Sequence, residues 1–195
     1  MHSTATAGTR PNTKVVTGKV RLSYVNLFTP RRNDDGVEKF GCKLLIDKRD
    51  RATLQAIEAA VEAAKLLARE SMGARAQHLR ATLHDGDGDK PSGGPYGPEC
   101  KGHMVLSVSS RQRPQIVDRH LEPITDPEEL YSGCYGRVSL NLYPYDVSGN
   151  RGIAAGLNNV QKVADGQRLG NRMNAQDEFD EYDEYEDDED SGLYN

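Results

Sequence analysis

Four stretches of this chain alternate apolar and polar side chains with a period of two, and that alternation limits the fold more than any other feature. In the first, Val16, Gly18, Val20 and Leu22 take one parity and Thr17, Lys19, Arg21 and Ser23 the other. In the second, Phe40, Cys42, Leu44 and Ile46 oppose Lys39, Gly41 and Lys43. The third sets Met104, Leu106 and Val108 against Val105, Ser107, Ser109 and Arg111. The fourth is the most regular, with Val138, Leu140 and Leu142 opposing Tyr135, Arg137, Ser139, Asn141, Tyr143 and, past Pro144, Tyr145. Half-buried strands with one wet face belong to an antiparallel sheet. A single helix is predicted, with Asp50 as its N-cap, Leu54, Ile57, Val61, Ala64 and Ala68 at helical spacing, and Gly73 as its stop. It should cover one end or face of the sheet. A short last strand is expected within residues 153–163, a charged turn over 29–36 and a long loop over 84–102. The fold class is therefore mainly β with one principal helix.

Charge divides the chain in two. Residues 177–190 hold eleven carboxylates and no base, so 25 basic residues face only 19 acidic ones in the remainder, although the whole carries −5. A length of 195 residues suits one domain with appendages, and 36% apolar residues suffice for its core. We expect a flexible N-terminus over 1–13, a folded domain over 14–170 and a disordered acidic tail over 171–195. No run approaches the roughly 20 apolar residues of a membrane span. The start of the chain has no apolar core of a secretory signal. Cys42, Cys100 and Cys134 cannot all pair, so a reducing cytoplasm is the expected compartment.

The wet faces of the four strands share a sign. They present Lys19 and Arg21, then Lys39 and Lys43, then Arg111 with Arg113 just beyond, then Arg137 among Tyr135, Tyr143 and Tyr145. No acid falls at these phases; the departures are Val15, Leu45 and Val105. Cations neutralise phosphates and aromatic faces stack on unpaired bases, so such a face suits single-stranded rather than duplex nucleic acid. Arg31 and Arg32 on the first turn and Tyr96 in the long loop join the candidate DNA-binding set. An ordinary solvated face accounts for any one of these residues; the sign bias across four strands does not follow from solvation alone. The tail interleaves Phe179, Tyr182 and Tyr185 with carboxylates including Asp177, Glu178, Asp183 and Asp190. It imitates a nucleic-acid strand and, tethered, should compete with weakly held DNA or dock on basic pockets of partners.

Other motifs fail on spacing. Asp85-Gly-Asp-Gly-Asp89 suggests calcium, yet Lys90 and Tyr96 stand where the EF-hand loop needs Gly and Glu. Cys100-x-x-His103 is half of a zinc spacing with no second pair. Gly93-Gly-Pro-Tyr-Gly97 lacks the Gly-Lys-Ser/Thr ending of a phosphate-binding loop. No catalytic residue, metal or cofactor is assigned.

Several segments together carry a resemblance: Gly18-Lys-Val-Arg-Leu-Ser-Tyr-Val-Asn-Leu-Phe28, Asp85-Gly-Asp87, Arg113-Pro, Tyr131-Ser-Gly-Cys-Tyr135 and Gly152-Ile-Ala-Ala-Gly-Leu-Asn-Asn-Val-Gln161. Over residues 14–170 the chain resembles the single-stranded-DNA-binding proteins of tailed bacteriophages, formerly a domain of unknown function. The resemblance implies an OB-like antiparallel β-barrel with long loops, sequence-tolerant binding of single-stranded DNA in phage replication or recombination, and an acidic tail that modulates binding and recruits replication or recombination proteins. A phage origin would make the cytoplasm that of the host cell. Homo-oligomerisation is compatible with this reading. The alternative is an interaction module that acts through its acidic-aromatic tail and binds no nucleic acid. More distant is a nuclease or nucleotide-processing enzyme using Asp85, Asp87 and Asp89 with a metal.

Overall fold

The alternating runs pair into one sheet that closes on itself. A computed structural model of the chain describes residues 11–32 and 36–170. In chain order these form β1 (Lys14–Val16), β2 (Val20–Arg32), β3 (Glu38–Asp47), α1 (Arg51–Met72), β4 (Leu83–Asp85), β5 (His103–Ser110), β6 (Gln115–Val117), β7 (Tyr135–Val147) and β8 (Asn150–Ala164). Strands β7, β2, β3, β5 and β8 follow one another round a ring, because β7 also pairs with β8. Two seams of the ring are short. The β2–β7 seam pairs Val20 with Gly136 and Arg21 with Tyr135; the β5–β8 seam is parallel and pairs Val108 with Ala155 and Ser109 with Gly156. A five-stranded, partly open barrel of this kind is the OB architecture.

Inward positions fill the ring: Leu22, Leu44, Ile46, Leu106, Val138, Leu140 and Leu142 are all buried. Each such side chain contributes roughly 1.5–3 kcal/mol through its removal from water. Helix α1 runs as its spacing predicts, with the Asp50 carboxylate accepting from the Thr53 N–H at 3.1 Å. Its buried stripe of Leu54, Ile57, Ala60 and Ala64 joins the barrel core, and the helix packs mainly on β7 and β1. Among the described residues, no helix is long and apolar enough to cross a membrane.

The first alternating run is not one strand. The chain breaks at Thr17–Gly18, where the buried Thr17 hydroxyl accepts from the Val138 N–H at 3.0 Å. Val15 is therefore inside (4% exposed) and Val16 outside (53%), the reverse of the expected parity. The turn expected over 29–36 is shorter, since β2 continues to Arg32 and pairs there with Glu38. The last strand is not short: β8 spans 15 residues and pairs with β7 along most of its length. The loop over 84–102 begins within β4 and folds back on the outer face of the barrel. There Cys100 and Tyr96 cover Leu45 and Val105, the two apolar departures on that face, in a second small core.

Candidate nucleic-acid interface

One edge of β5 is shared by two strands. β4 pairs with residues 104–106, and β8 pairs with Val108 and Ser109. Outside this fork lies an open groove of about 1160 Å³, floored by small side chains, Ser107 and Ser109 on β5 and Ala154 and Gly156 on β8. Lys39 of β3 and Arg111 just past β5 line it, as do Arg80 before β4, His84 within β4, and Tyr143 and Tyr145 of β7. Among the described residues, no Asp or Glu lines it. The acid of β7, Asp146, is spoken for by Arg75 at 2.9 Å and Arg151 at 3.3 Å. Burial holds the His84 imidazole below its ordinary pKa.

The tyrosines lie on gaps that glycine leaves in β8. A Cβ on Gly152 would stand 2.8 Å from the Tyr145 hydroxyl, and one on Gly156 would stand 3.3 Å from Tyr143 Cε1. Tyr143 remains 39% exposed over this bed. Rings laid against a groove lined by cations offer stacking surfaces beside phosphate-neutralising charge, the pairing of groups that single strands require.

The structure separates the residues that the sequence put on one face. Lys39, Arg111 and Tyr143 meet in the groove. Lys43 stands opposite Ser107 on the same outer row, and Arg31 opposite Lys39 on the β2–β3 arm. Arg32 on that arm donates to the Gly36 carbonyl at 2.9 Å, and the Arg113 guanidinium lies 5.4 Å from the Phe28 ring. The rest gather at the far end of β7, six to eight residues or roughly 20–27 Å from Tyr143 at strand rise. There Lys19 and Arg21 lie 5.4 and 5.9 Å from the Tyr135 ring. Arg21 donates to the carbonyls of Gly133 and Gln167, and Arg137 to that of Thr17. Tyr96 packs on the second small core, where burial raises its phenol pKa. The tail positions Asp177, Glu178, Phe179, Asp183 and Asp190 lie outside the described residues.

Sequence reasoning missed Arg80 and His84 in the groove. Arg80 reaches it by bridging in parallel to Gly152, a partner 72 positions away that no local pattern announces.

The Asp85-Gly-Asp87 motif is a clasp. Lys48 Nζ lies 2.6 Å from both Asp85 Oδ1 and Asp87 Oδ2, and a Cβ on Gly86 would collide with the Cys100 carbonyl. The lysine ammonium sits where a cation would, and Asp87 Oδ1 also accepts from the Gly102 N–H. Among the described residues no group of three or more His, Cys, Asp or Glu could hold a metal ion. The three cysteines are buried, and burial beside Cys134 pushes the Cys42 thiol up to about 12, so it holds no thiolate nucleophile at neutral pH.

The sequence matches the family described as the Enterobacter phage Enc34 ssDNA-binding protein over residues 13–191. A curated relative, "Putative protein p50" of Acyrthosiphon pisum secondary endosymbiont phage 1, is 29% identical over 179 residues, covering 85% of this chain and 92% of its own. The bacteriophage Enc34 single-stranded DNA-binding protein, solved in complex with ssDNA, superposes with a TM-score of 0.69 at 26% identity, over 81% of this chain and 90% of that one. Bacteriophage T7 gp2.5, a single-stranded DNA-binding protein, shares the fold with a TM-score of 0.58 at 15% identity, over 88% of this chain and 96% of its own.

Proposed function

The chain belongs to the phage family of the Enc34 ssDNA-binding protein, and from that membership we propose that its groove binds single-stranded DNA without sequence preference. The observation that carries this reading is the lining itself: Lys39, Arg80 and Arg111 beside two tyrosines, with no carboxylate among the described lining residues. Phosphates would meet the cations, with Lys43 and Arg31 extending the charge outward, while Tyr143 and Tyr145 offer their faces to bases. Duplex bases are already stacked and gain nothing from the rings. The protein acts as a binder rather than a catalyst, sequestering single strands during phage DNA replication or recombination.

The acidic tail competes with DNA for this face and recruits other proteins to it. What supports the competition is the route of the chain that leads to the tail. Gln167 accepts from Arg21, and Leu169 packs on the small core of Leu45, Cys100 and Val105, two positions along β3 from Lys43. The tail thus departs from the cationic side of the barrel, where a short tether gives an effective concentration on the order of mM.

Fluorescence anisotropy and gel shift of a labelled single strand against the matching duplex, each with and without magnesium, test the reading. A shift of the single strand at lower protein concentration than the duplex, with no cleavage, is expected. No shift of the single strand overturns it, and magnesium-dependent cleavage overturns the non-catalytic role.

A further inference from the structure

Strand β2 carries an extra residue in the middle of its pairing with β3. Ser23 stands opposite Lys43 and Asn26 opposite Gly41, so Tyr24 and Val25 together face Cys42 alone. Such a bulge re-aims the side chains beyond it. Val20 and Leu22 point into the barrel, and straight alternation would put position 24 there too. Instead Tyr24 is turned out and 54% exposed, while Val25 and Leu27 take up the core.

This arrangement is strained and firmly held. Tyr24 has φ +49°, a left-handed conformation that a bulky residue rarely adopts. The Asn26 side-chain amide donates to the Tyr24 carbonyl at 2.9 Å, and the Val25 N–H donates to Ser132 Oγ at 3.1 Å. The strain supports an aromatic ring in solvent, where it adds nothing to the core. Lys43 Nζ stands 4.4 Å from the ring centroid, and Lys43 in turn faces Ser107 of the groove floor. Tyr24 therefore lies two strands from β5, roughly 10 Å across the sheet from the groove.

We infer that the nucleic-acid path leaves the groove across β3 and ends on Tyr24, a second stacking subsite that takes one unpaired base while Lys43 holds the adjoining phosphate. This rests on the single-strand reading above and lengthens its footprint beyond the groove. The base would lie on the ring face turned away from Lys43. The bulge and its two side-chain hydrogen bonds keep that ring in place before DNA arrives, which lowers the ordering cost of binding.

The sequence contains no tryptophan, so Tyr24→Trp installs a unique reporter in the full chain. Oligo-dT should quench its emission and shield it from acrylamide, whereas an abasic oligomer of equal length should bind without quenching. Tyr24→Gly, which suits the left-handed backbone, should melt no lower than wild type yet bind oligo-dT about five- to a hundred-fold more weakly, the range of one lost stack. If Tyr24→Trp is unquenched, or Tyr24→Gly binds as wild type, while labelled oligo-dT still binds the wild-type protein, the subsite is wrong and the groove reading stands. If the wild-type protein fails to bind oligo-dT at all, both are overturned.

Discussion

The ring of Tyr143 lies over Gly156, with a Cβ at that glycine placed only 3.3 Å from Tyr143 Cε1. β8 thus omits a side chain where β7 lays down an aromatic face, and the glycine sets the depth of the groove. Replacing Tyr143 with Ala should weaken binding of oligo-dT by about five- to a hundred-fold, the range for one lost stack, and Tyr143→Phe should retain it. Gly156→Val should lift the ring and weaken binding in the same direction. Anisotropy titrations with parallel thermal melts check this; unchanged affinity in both Tyr143→Ala and Gly156→Val would exclude the ring as a platform.

The cations of the groove predict a salt dependence. With Lys39, Lys43, Arg80 and Arg111 each neutralising one phosphate, log affinity should fall against log salt with a slope of about −3, at roughly 0.7 per contact for single strands. Lys39→Ala and Arg111→Ala should each flatten the slope by about 0.7. Arg137→Ala should leave it unchanged, because that side chain is engaged with the Thr17 carbonyl at the other end of β7. Equal slopes in all three variants would remove the groove from the DNA path.

That contrast marks how far the sequence carries. β7 is legible because Val138, Leu140 and Leu142 fall inside without a break, which places Arg137 and Tyr143 outside correctly. Parity, however, says which face a residue takes and not where along a curved strand it stands, so Arg137 and Tyr143 share a parity although six residues part them. β8 reads weakly because its outer positions, Ala154, Gly156 and Asn158, are small or polar without charge. Those are the features that hollow the groove. At Tyr24 the bulge reverses the alternation, and at Thr17 a buried hydroxyl takes an inward place that pattern reserves for an apolar residue.

The Lys48 clasp predicts an acid-side stability change. Hydrogen bonds from Lys48 lower the pKa of both Asp85 and Asp87, and the same bonds raise that of Lys48. A depressed carboxylate contributes stability above its unfolded pKa of about 3.9 and loses that contribution as pH falls through the folded value. The raised lysine contributes below about 10.4 and loses its part as pH rises past the folded value. Lys48→Met should therefore melt lower than wild type at pH 7, and the gap should close as pH drops below about 4. Thermal melts between pH 3 and pH 7 read this directly, and a gap that stays constant would remove the clasp as its cause. Single-strand affinity at pH 7 should be unchanged in Lys48→Met, since neither Lys48 nor the two carboxylates line the groove.

Removing residues 177–195 tests the tail. The deletion takes away eleven carboxylates whose tether leaves from the cationic side of the barrel, where Leu169 is anchored beside Leu45 and Val105. A tethered competitor acts by mass action, so its loss should tighten binding of oligo-dT, and most strongly at low salt, where carboxylate–cation contacts are least screened. The gain should shrink as salt rises toward 0.5 M, so the truncated protein should show the steeper salt slope of the two. Replacing the eleven acids with their amides should reproduce the deletion, whereas changing Phe179, Tyr182 and Tyr185 to Ser should reproduce only the part that ring mimicry supplies. Identical isotherms for intact and truncated protein at 50 mM salt would show that the tail does not compete for the groove.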